Sequence, residues 1–204
     1  MTFLITFLAI MLSIYLSPLF IRLTYRNKTK LPNEPIWIIY SKFFNSYAYC
    51  VGLFNFKAIF VNARFADMLD KLDIDKPTEE KTSLRTLLID HERTHFKEKH
   101  NEIFSTIFAL KYAIIAQVLI LFMPLWLMLS SVVFVFVFVS CYDALFKHLF
   151  YYFEYKADWE AFSKKGDVQN QMLLYTMFER NRSNLRTPSI NQRLLYLSKK
   201  TQKL

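Results

Sequence analysis

Two stretches of the chain have no alternation between apolar and polar positions. Residues 1 to 21, MTFLITFLAIMLSIYLSPLFI, contain no charged side chain and are long enough to cross a ~30 Å hydrocarbon core. The second runs from about Ile103 to Phe146, with 31 consecutive uncharged residues between Lys111 and Asp143. As one helix those residues would reach ~46 Å, too long for a single span. Pro124 lies near their middle, so the pattern predicts two helices, roughly 103–123 and 126–147, joined by a tight turn. Lys111 and Asp143 then fall near one membrane face, where Lys111 is expected to snorkel to the interface rather than pair with Asp143. The Val/Phe alternation at 132–139 has the period of a strand. An open strand would leave its backbone unsatisfied in lipid, so it reads as helix.

The remaining segments alternate. PIWIIY, YAYCV and KAIFVN read as three short strands, with a turn at GLFN. PTEEKTSLRTLLIDHERTHFKEKHNEIF has a helical pattern with acids near its start and no internal breaker. After the apolar region, LFYYFEYKADWEAFSKK is helical up to Gly166, and DVQNQMLLYTMFER gives another helix. In TPSINQRLLYLSKK, Pro188 is followed by Ser189 and Gln192 at capping-box spacing, which opens a last helix.

Composition adds a direction to this layout. Hydrophobic residues reach 53%, yet the net charge is +9, a pairing that suits a membrane protein with its basic parts on one side. Of 26 Lys and Arg, 14 fall in 22–102 and 11 in 147–204, with Lys111 the last. They are scattered rather than clustered, so no nucleic-acid partner is expected. A cleaved signal peptide would need a basic start and a small-residue cleavage site. Instead Arg22, Arg26, Lys28 and Lys30 follow the first apolar segment, which reads as an anchor with its start outside and its basic end in the cytosol. The expected organisation is an anchor at 1–23 and one domain at 24–204, interrupted by a membrane hairpin at about 103–147. Cys50 and Cys141 form no disulfide framework, and a reducing compartment fits them.

Candidate chemistry lies in LLIDHERTHFKEKH. His91-Glu-Arg-Thr-His95 matches HExxH. Positions i and i+4 lie about 400° apart on a helix, so both imidazoles point the same way, one turn apart. Two such nitrogens can meet one Zn²⁺ at about 2.0–2.1 Å. Glu92, one residue along, is placed to exchange a proton with a water activated there. Leu84, Leu87, Leu88, His91 and His95 share one helix face, so the stripe that buries the helix leads into the site. A third ligand is needed. On an unbroken helix His100 lies about 140° off the ligand face, and is read as facing away and solvated. His148 is conceivable. Glu154 and Asp158 form a pair one turn apart, in which Glu154 could bind the metal while Asp158 holds a ligand imidazole. A solvated face with Lys156 and Glu160 is the ordinary alternative. The hairpin crosses the membrane twice, so it returns Glu154 to the side of His91 and His95.

Taken in order, these pieces resemble the HtpX-type integral-membrane zinc metallopeptidases, gluzincins related to the CAAX prenyl endopeptidases. The resemblance runs from about Asn45 to the end of the chain. NSYAYCVGLFNFKAIFVN resembles the family's Asn-Ala-Phe-Ala strand and hairpin, LLIDHERTHFKEKH its HExxH helix, EYKAD its ExxAD motif, and TPSINQRLLYL its HP-x-x-x-x-R segment. Thr94 stands where the family usually has Gly, and Thr187-Pro188 where it has His-Pro. One N-terminal span is evident where members typically have two.

The resemblance implies a membrane-associated α+β fold. Its parts would be a gluzincin-like helical domain with a small β-sheet, one N-terminal transmembrane helix and one transmembrane hairpin. His91, His95 and Glu154 would hold one Zn²⁺ per chain, Glu92 would be the catalytic base, and Asp158 would support a ligand. Asn45, Ser46, Tyr47 and Ala48 would pair with an extended substrate backbone, and Arg193 would line or brace the site. The implied activity is zinc-dependent endopeptidase cleavage of membrane proteins or peptides, at the cytosolic face of a bacterial inner membrane. The alternative is a non-catalytic or signalling membrane zincin of the sensor-transducer type, which shares a G-L-F-x-x-x-I strand before HExxH and keeps the ion for structure or regulation.

Overall fold

A computed structural model describes residues 1–25, 28–42, 48–53, 56–74, 83–121, 128–163 and 188–202. Over these residues the fold is mixed α and β, with six helices and one four-stranded sheet. The predicted helix at 167–180, the Pro124 turn and Gly166 lie outside the described residues.

The strands are β1 (Lys28–Lys30), β2 (Ile36–Ser41), β3 (Ala48–Leu53) and β4 (Phe56–Asn62). Their order across the sheet is β1-β2-β4-β3, with β2 and β4 parallel and the other pairs antiparallel. β2, β3 and β4 fall on the three predicted strands; β1, short and polar, was not expected. The apolar run of β2 is explained by burial on both faces. Ile36 and Ile38, with Ile59 and Val61 of β4, join the main core, while Ile39, Ala58 and Phe60 pack on the other face against Tyr25 and Trp37.

Helix α1 (Thr2–Thr24) precedes the sheet, and α2 (Ala63–Ile74) follows it directly. The sequence reading left α2 out. It starts where the Asn62 side chain accepts the backbone N–H of Arg64 at 3.0 Å and of Phe65 at 3.3 Å, satisfying two donors at a helix start. Its Phe65, Ala66 and Leu69 enter the main core with Leu84, Leu87, Leu88 and Phe96 of α3 (Leu84–Lys97).

The predicted unbroken helix through residue 104 is corrected by the structure. α3 begins after Ser83, whose hydroxyl accepts the Thr86 N–H at 3.1 Å. It is followed by a two-residue break at Glu98 and Lys99, after which α4 (His100–Leu121) starts. Lys99 sits at φ 58°, in the left-handed region that disfavours a residue with a Cβ. Its N–H donates to Phe96 O at 3.2 Å, and its carbonyl accepts the N–H of Ile103 at 3.1 Å, so the turn closes one helix and opens the next. Lysine carries no sequence signal for such a turn.

α4 and α5 (Met128–Ser163) run antiparallel. Lys111 meets Asp143, Phe104 meets Phe150 at 5.3 Å between ring centroids, and His100 stacks on Phe153 at 4.2 Å. α5 is one helix of 36 residues, so the apolar segment and the EYKAD segment form a single rod. The Val/Phe alternation is helical, as expected. Two helices are long and apolar enough to cross a membrane, His100–Ile120 and Val133–Phe162, and α1 is apolar over Thr2–Ser17. α1 packs along α4, with Thr2 Oγ1 donating to Gln117 Oε1 at 2.8 Å near the end of α4. The other end of α1 reaches the sheet, where Tyr25 sets its ring edge against Phe60. α1 is therefore antiparallel to α4. The last helix, α6 (Ile190–Thr201), opens with the expected capping box: Ser189 Oγ accepts Gln192 N–H, and Gln192 Oε1 accepts Ser189 N–H.

Lys111 does not snorkel away from its partner. Its Nζ lies 2.9 Å from Asp143 Oδ1, with the Lys111 side chain only 4% exposed, in a cleft that both residues line together with aromatic side chains of the two helices. Removing one member of a buried pair strands the other charge and costs about 3–5 kcal/mol, whereas an apolar pair of similar volume is tolerated. Lys111→Met is therefore expected to lower the thermal unfolding temperature of the purified protein, and Lys111→Met with Asp143→Leu to recover most of it. Equal loss in the single and double variants would contradict this account of the pair.

Candidate metal centre

Three elements that are distant in sequence converge at one end of the helices. α3 presents His91 and His95 from adjacent turns, α5 presents Glu154, and α6 presents Arg193 from behind. The apolar stripe of α3 buries Leu84, Leu87 and Leu88 and carries His91 and His95 inward on the same face, as the spacing predicted.

Ligand atoms of His91, His95 and Glu154 all lie within 4.8 Å of one another, an arrangement that could hold a metal ion. His91 Nε2 is 3.3 Å from His95 Nε2 and 3.5 Å from Glu154 Oε2, and His95 Nε2 is 3.7 Å from Glu154 Oε1. Two ligand atoms about 2.0–2.1 Å from one ion, at the tetrahedral angle, lie roughly 3.3 Å apart. The two imidazole nitrogens therefore stand as a tetrahedral ion would require, and Glu154 approaches each of them through a different carboxylate oxygen.

Asp158, one turn beyond Glu154, has no exposed surface. Its Oδ1 lies 2.9 Å from His91 Nδ1. Arg193 donates to the same carboxylate through Nε at 2.7 Å and through a second nitrogen, and that nitrogen also lies 3.7 Å from Glu154 Oε2. Asp158 thus holds the far nitrogen of a candidate ligand, and Arg193 matches its charge. Because Ser189 fixes the start of α6, Arg193 arrives one turn later on a fixed helix face.

Burial and neighbours set the protonation of the α3 groups. Burial opposes a charge on His91, but hydrogen bonds to Asp158 and Glu154 outweigh it and raise its pKa to about 10. Burial dominates at His95 and, against the pull of Glu154, lowers it to about 3. Glu92 is raised to about 7, chiefly by burial with Glu154 adding, while His91 and Arg193 work the other way. A carboxyl near neutrality can both take and return a proton.

Two neighbours were absent from the expected site. His100, read as solvated and facing away, is 4% exposed, and its Nδ1 lies 3.2 Å from His95 Nδ1. The angle computed for an unbroken helix fails because the helix breaks at Glu98 and Lys99. Cys50 of β3 lies against Glu92, and burial together with Glu92 and Glu154 keeps its thiol protonated. Its Sγ also lies 3.9 Å from Asn101 Oδ1, and the Asn101 amide donates to Gly52 O. Gly52 at φ 107° adopts a geometry that suits glycine.

Of the four candidate substrate-contact residues, Asn45, Ser46 and Tyr47 lie outside the described residues. Ala48 opens β3, which is an edge strand of the sheet and packs against α3 and α4.

Glu154→Gln removes the charged donor while keeping the side-chain shape. Loss of a supporting residue typically weakens a metal site by about 10–100-fold, and loss of this carboxylate is expected to exceed that in competition with a chromophoric chelator. Unchanged affinity would remove Glu154 from the ligand set.

No family model matches the chain, and no curated protein or solved structure does either, so the reading of this centre rests on its own geometry and donor chemistry.

Proposed function

We propose that the chain is a membrane-anchored zinc endopeptidase with its centre on the cytosolic side. The observation that carries this reading is the convergence of His91, His95 and Glu154 within 4.8 Å of one another, with the buried carboxyl of Glu92 beside them. Two imidazoles and one carboxylate form a set that suits Zn²⁺, and three protein ligands leave a position open for substrate or water, unlike a closed structural site with four. When bound there, Zn²⁺ supplies Lewis-acid polarisation of a scissile carbonyl and eases ionisation of a water.

The chain's own groups perform the rest. Glu92 takes the proton of the attacking water and passes it to the leaving amine, the role its poised carboxyl suits. Asp158 accepts the His91 Nδ1–H, so that a bound ion would take the place of the proton on Nε2, and Arg193 holds Asp158 in place. β3 offers an edge on which an extended substrate backbone can pair, reading main chain more than side chain.

Membrane insertion is supported by two helices of spanning length and by the exposed apolar side chains along them, among them Phe136 and Leu145. With about 103–123 and 126–147 in the bilayer, α1 antiparallel to α4 makes a third apolar helix. The sheet, α3 and α6 then share one side with the basic segments, the cytosolic side by the positive-inside rule. In a background lacking Cys50 and Cys141, Thr29→Cys and Lys199→Cys are expected to react with a membrane-impermeant maleimide only after the cells are permeabilised. Labelling of either from outside would reverse the topology.

Glu92→Gln separates an enzyme from a membrane protein that keeps the ion for structure or signalling. The variant is expected to retain bound zinc and to lose about 10²–10⁴-fold of its cleavage of an unfolded or membrane-tethered peptide substrate. Zinc-dependent cleavage undiminished by Glu92→Gln would sink this mechanism. A wild-type protein that binds zinc yet cleaves nothing would favour the structural or signalling role.

A further inference from the structure

The two candidate ligand imidazoles are backed by different chemistry. His91 turns Nδ1 to the carboxylate of Asp158 at 2.9 Å. His95 turns Nδ1 to another ring, the Nδ1 of His100, at 3.2 Å. His100 lies flat on Phe153, with centroids 4.2 Å apart and planes 13° from parallel. The stack fixes the plane of the His100 ring.

We propose that His100 is the positioning residue of His95: a neutral imidazole whose Nδ1 accepts the His95 Nδ1–H and so presents the His95 Nε2 lone pair to the ion. This rests on the metal-site reading given above. A ring nitrogen that binds a cation cannot keep its proton, and the other ring nitrogen then carries it and needs an acceptor. His95 Nε2 faces His91 Nε2 and Glu154, so the proton of the loaded ring belongs on Nδ1. The atom opposite is His100 Nδ1, which must accept and therefore carries its own proton on Nε2. Both ligands offer the same ring atom, one backed by a charged acceptor and the other by a neutral one.

The neutral acceptor has an electrostatic reason. Glu92, Glu154 and Asp158 already gather three carboxyl groups around the site, and Arg193 reaches two of them, Glu154 and Asp158. A further carboxylate behind His95 would add an unmatched negative charge in a buried place, which is costly. An imidazole provides the lone pair without the charge. The left-handed turn at Lys99 makes this possible, because it brings a residue only five positions after His95 back against that ring.

The test compares acceptor-free and acceptor-bearing replacements. His100→Phe keeps a ring to stack on Phe153 but has no lone pair in the ring plane. In His100→Asn, the amide oxygen can occupy the place of the imidazole Nδ1. Zinc affinity is measured by chelator competition, and ligand geometry by the visible absorption of the Co²⁺-substituted protein. His100→Phe is expected to weaken zinc binding about 10–100-fold and to shift the Co²⁺ bands, with the thermal transition of the ion-free protein near that of wild type. His100→Asn is expected to recover most of the affinity and the wild-type spectrum. Should His100→Phe not fold, His100→Leu serves as the acceptor-free variant. Wild-type affinity and spectrum in the acceptor-free variant would overturn the proposal, as would an Asn variant no better than it. Failure of the underlying metal reading looks different: the wild-type protein would bind neither Zn²⁺ nor Co²⁺.

Discussion

The antiparallel register of α4 and α5 is the constraint on which the rest of the centre depends. Glu154 follows His95 by 59 residues in sequence, and it arrives beside that histidine because the two helices are held level along their length. The contacts that hold them are specific as well as apolar. Lys111 opposes Asp143, Tyr142 donates its hydroxyl to the Ile107 carbonyl at 2.9 Å, and His100 stacks on Phe153. Sliding α5 by one residue would move Glu154 by about 1.5 Å and turn it by about 100°, enough to take its carboxylate away from the two imidazoles. Apolar packing alone tolerates such slips better than a buried ion pair does, and that fits the use of a charge pair in an otherwise apolar hairpin.

The second organising feature is the fully buried carboxylate of Asp158. An isolated charge there would be costly, so it is tied to His91 and Arg193 at once. Through it α3, α5 and α6 share one set of hydrogen bonds, and the core side chains Leu87, Leu88, Ala161, Phe162 and Leu197 pack around the same junction. The main core and the centre are one assembly, with the apolar stripe of α3 as its common wall.

Much of this was legible because local rules and tertiary demands agree. The His91–His95 spacing places both rings on one face, and the leucines before them give the face its direction. Ser189 and Gln192 form the cap their spacing promised. Three strands followed from alternation bounded by turn residues. What was not legible came from interactions that leave little local trace. Asn62 looked like the end of a strand, although it also starts α2. Residues 28–30 are too short and polar to signal a strand before β2 pairs with them. His100 depended on a left-handed lysine, and Lys111 on a cleft that it lines together with aromatic side chains of two helices. Residues 45–47, expected to contact substrate, lie outside the described residues.

The placement of the hairpin between the ligands also orders events in time. His91 and His95 are synthesised before the apolar helices, Glu154 and Asp158 after them, and Arg193 later still. A nascent chain that has made only α3 holds two imidazoles and Glu92 but lacks the carboxylate of Glu154. The candidate centre is complete only once α5 has aligned against α4 and α6 has docked, so its geometry depends on finished assembly. That order keeps the polar groups of the candidate centre apart throughout most of biosynthesis.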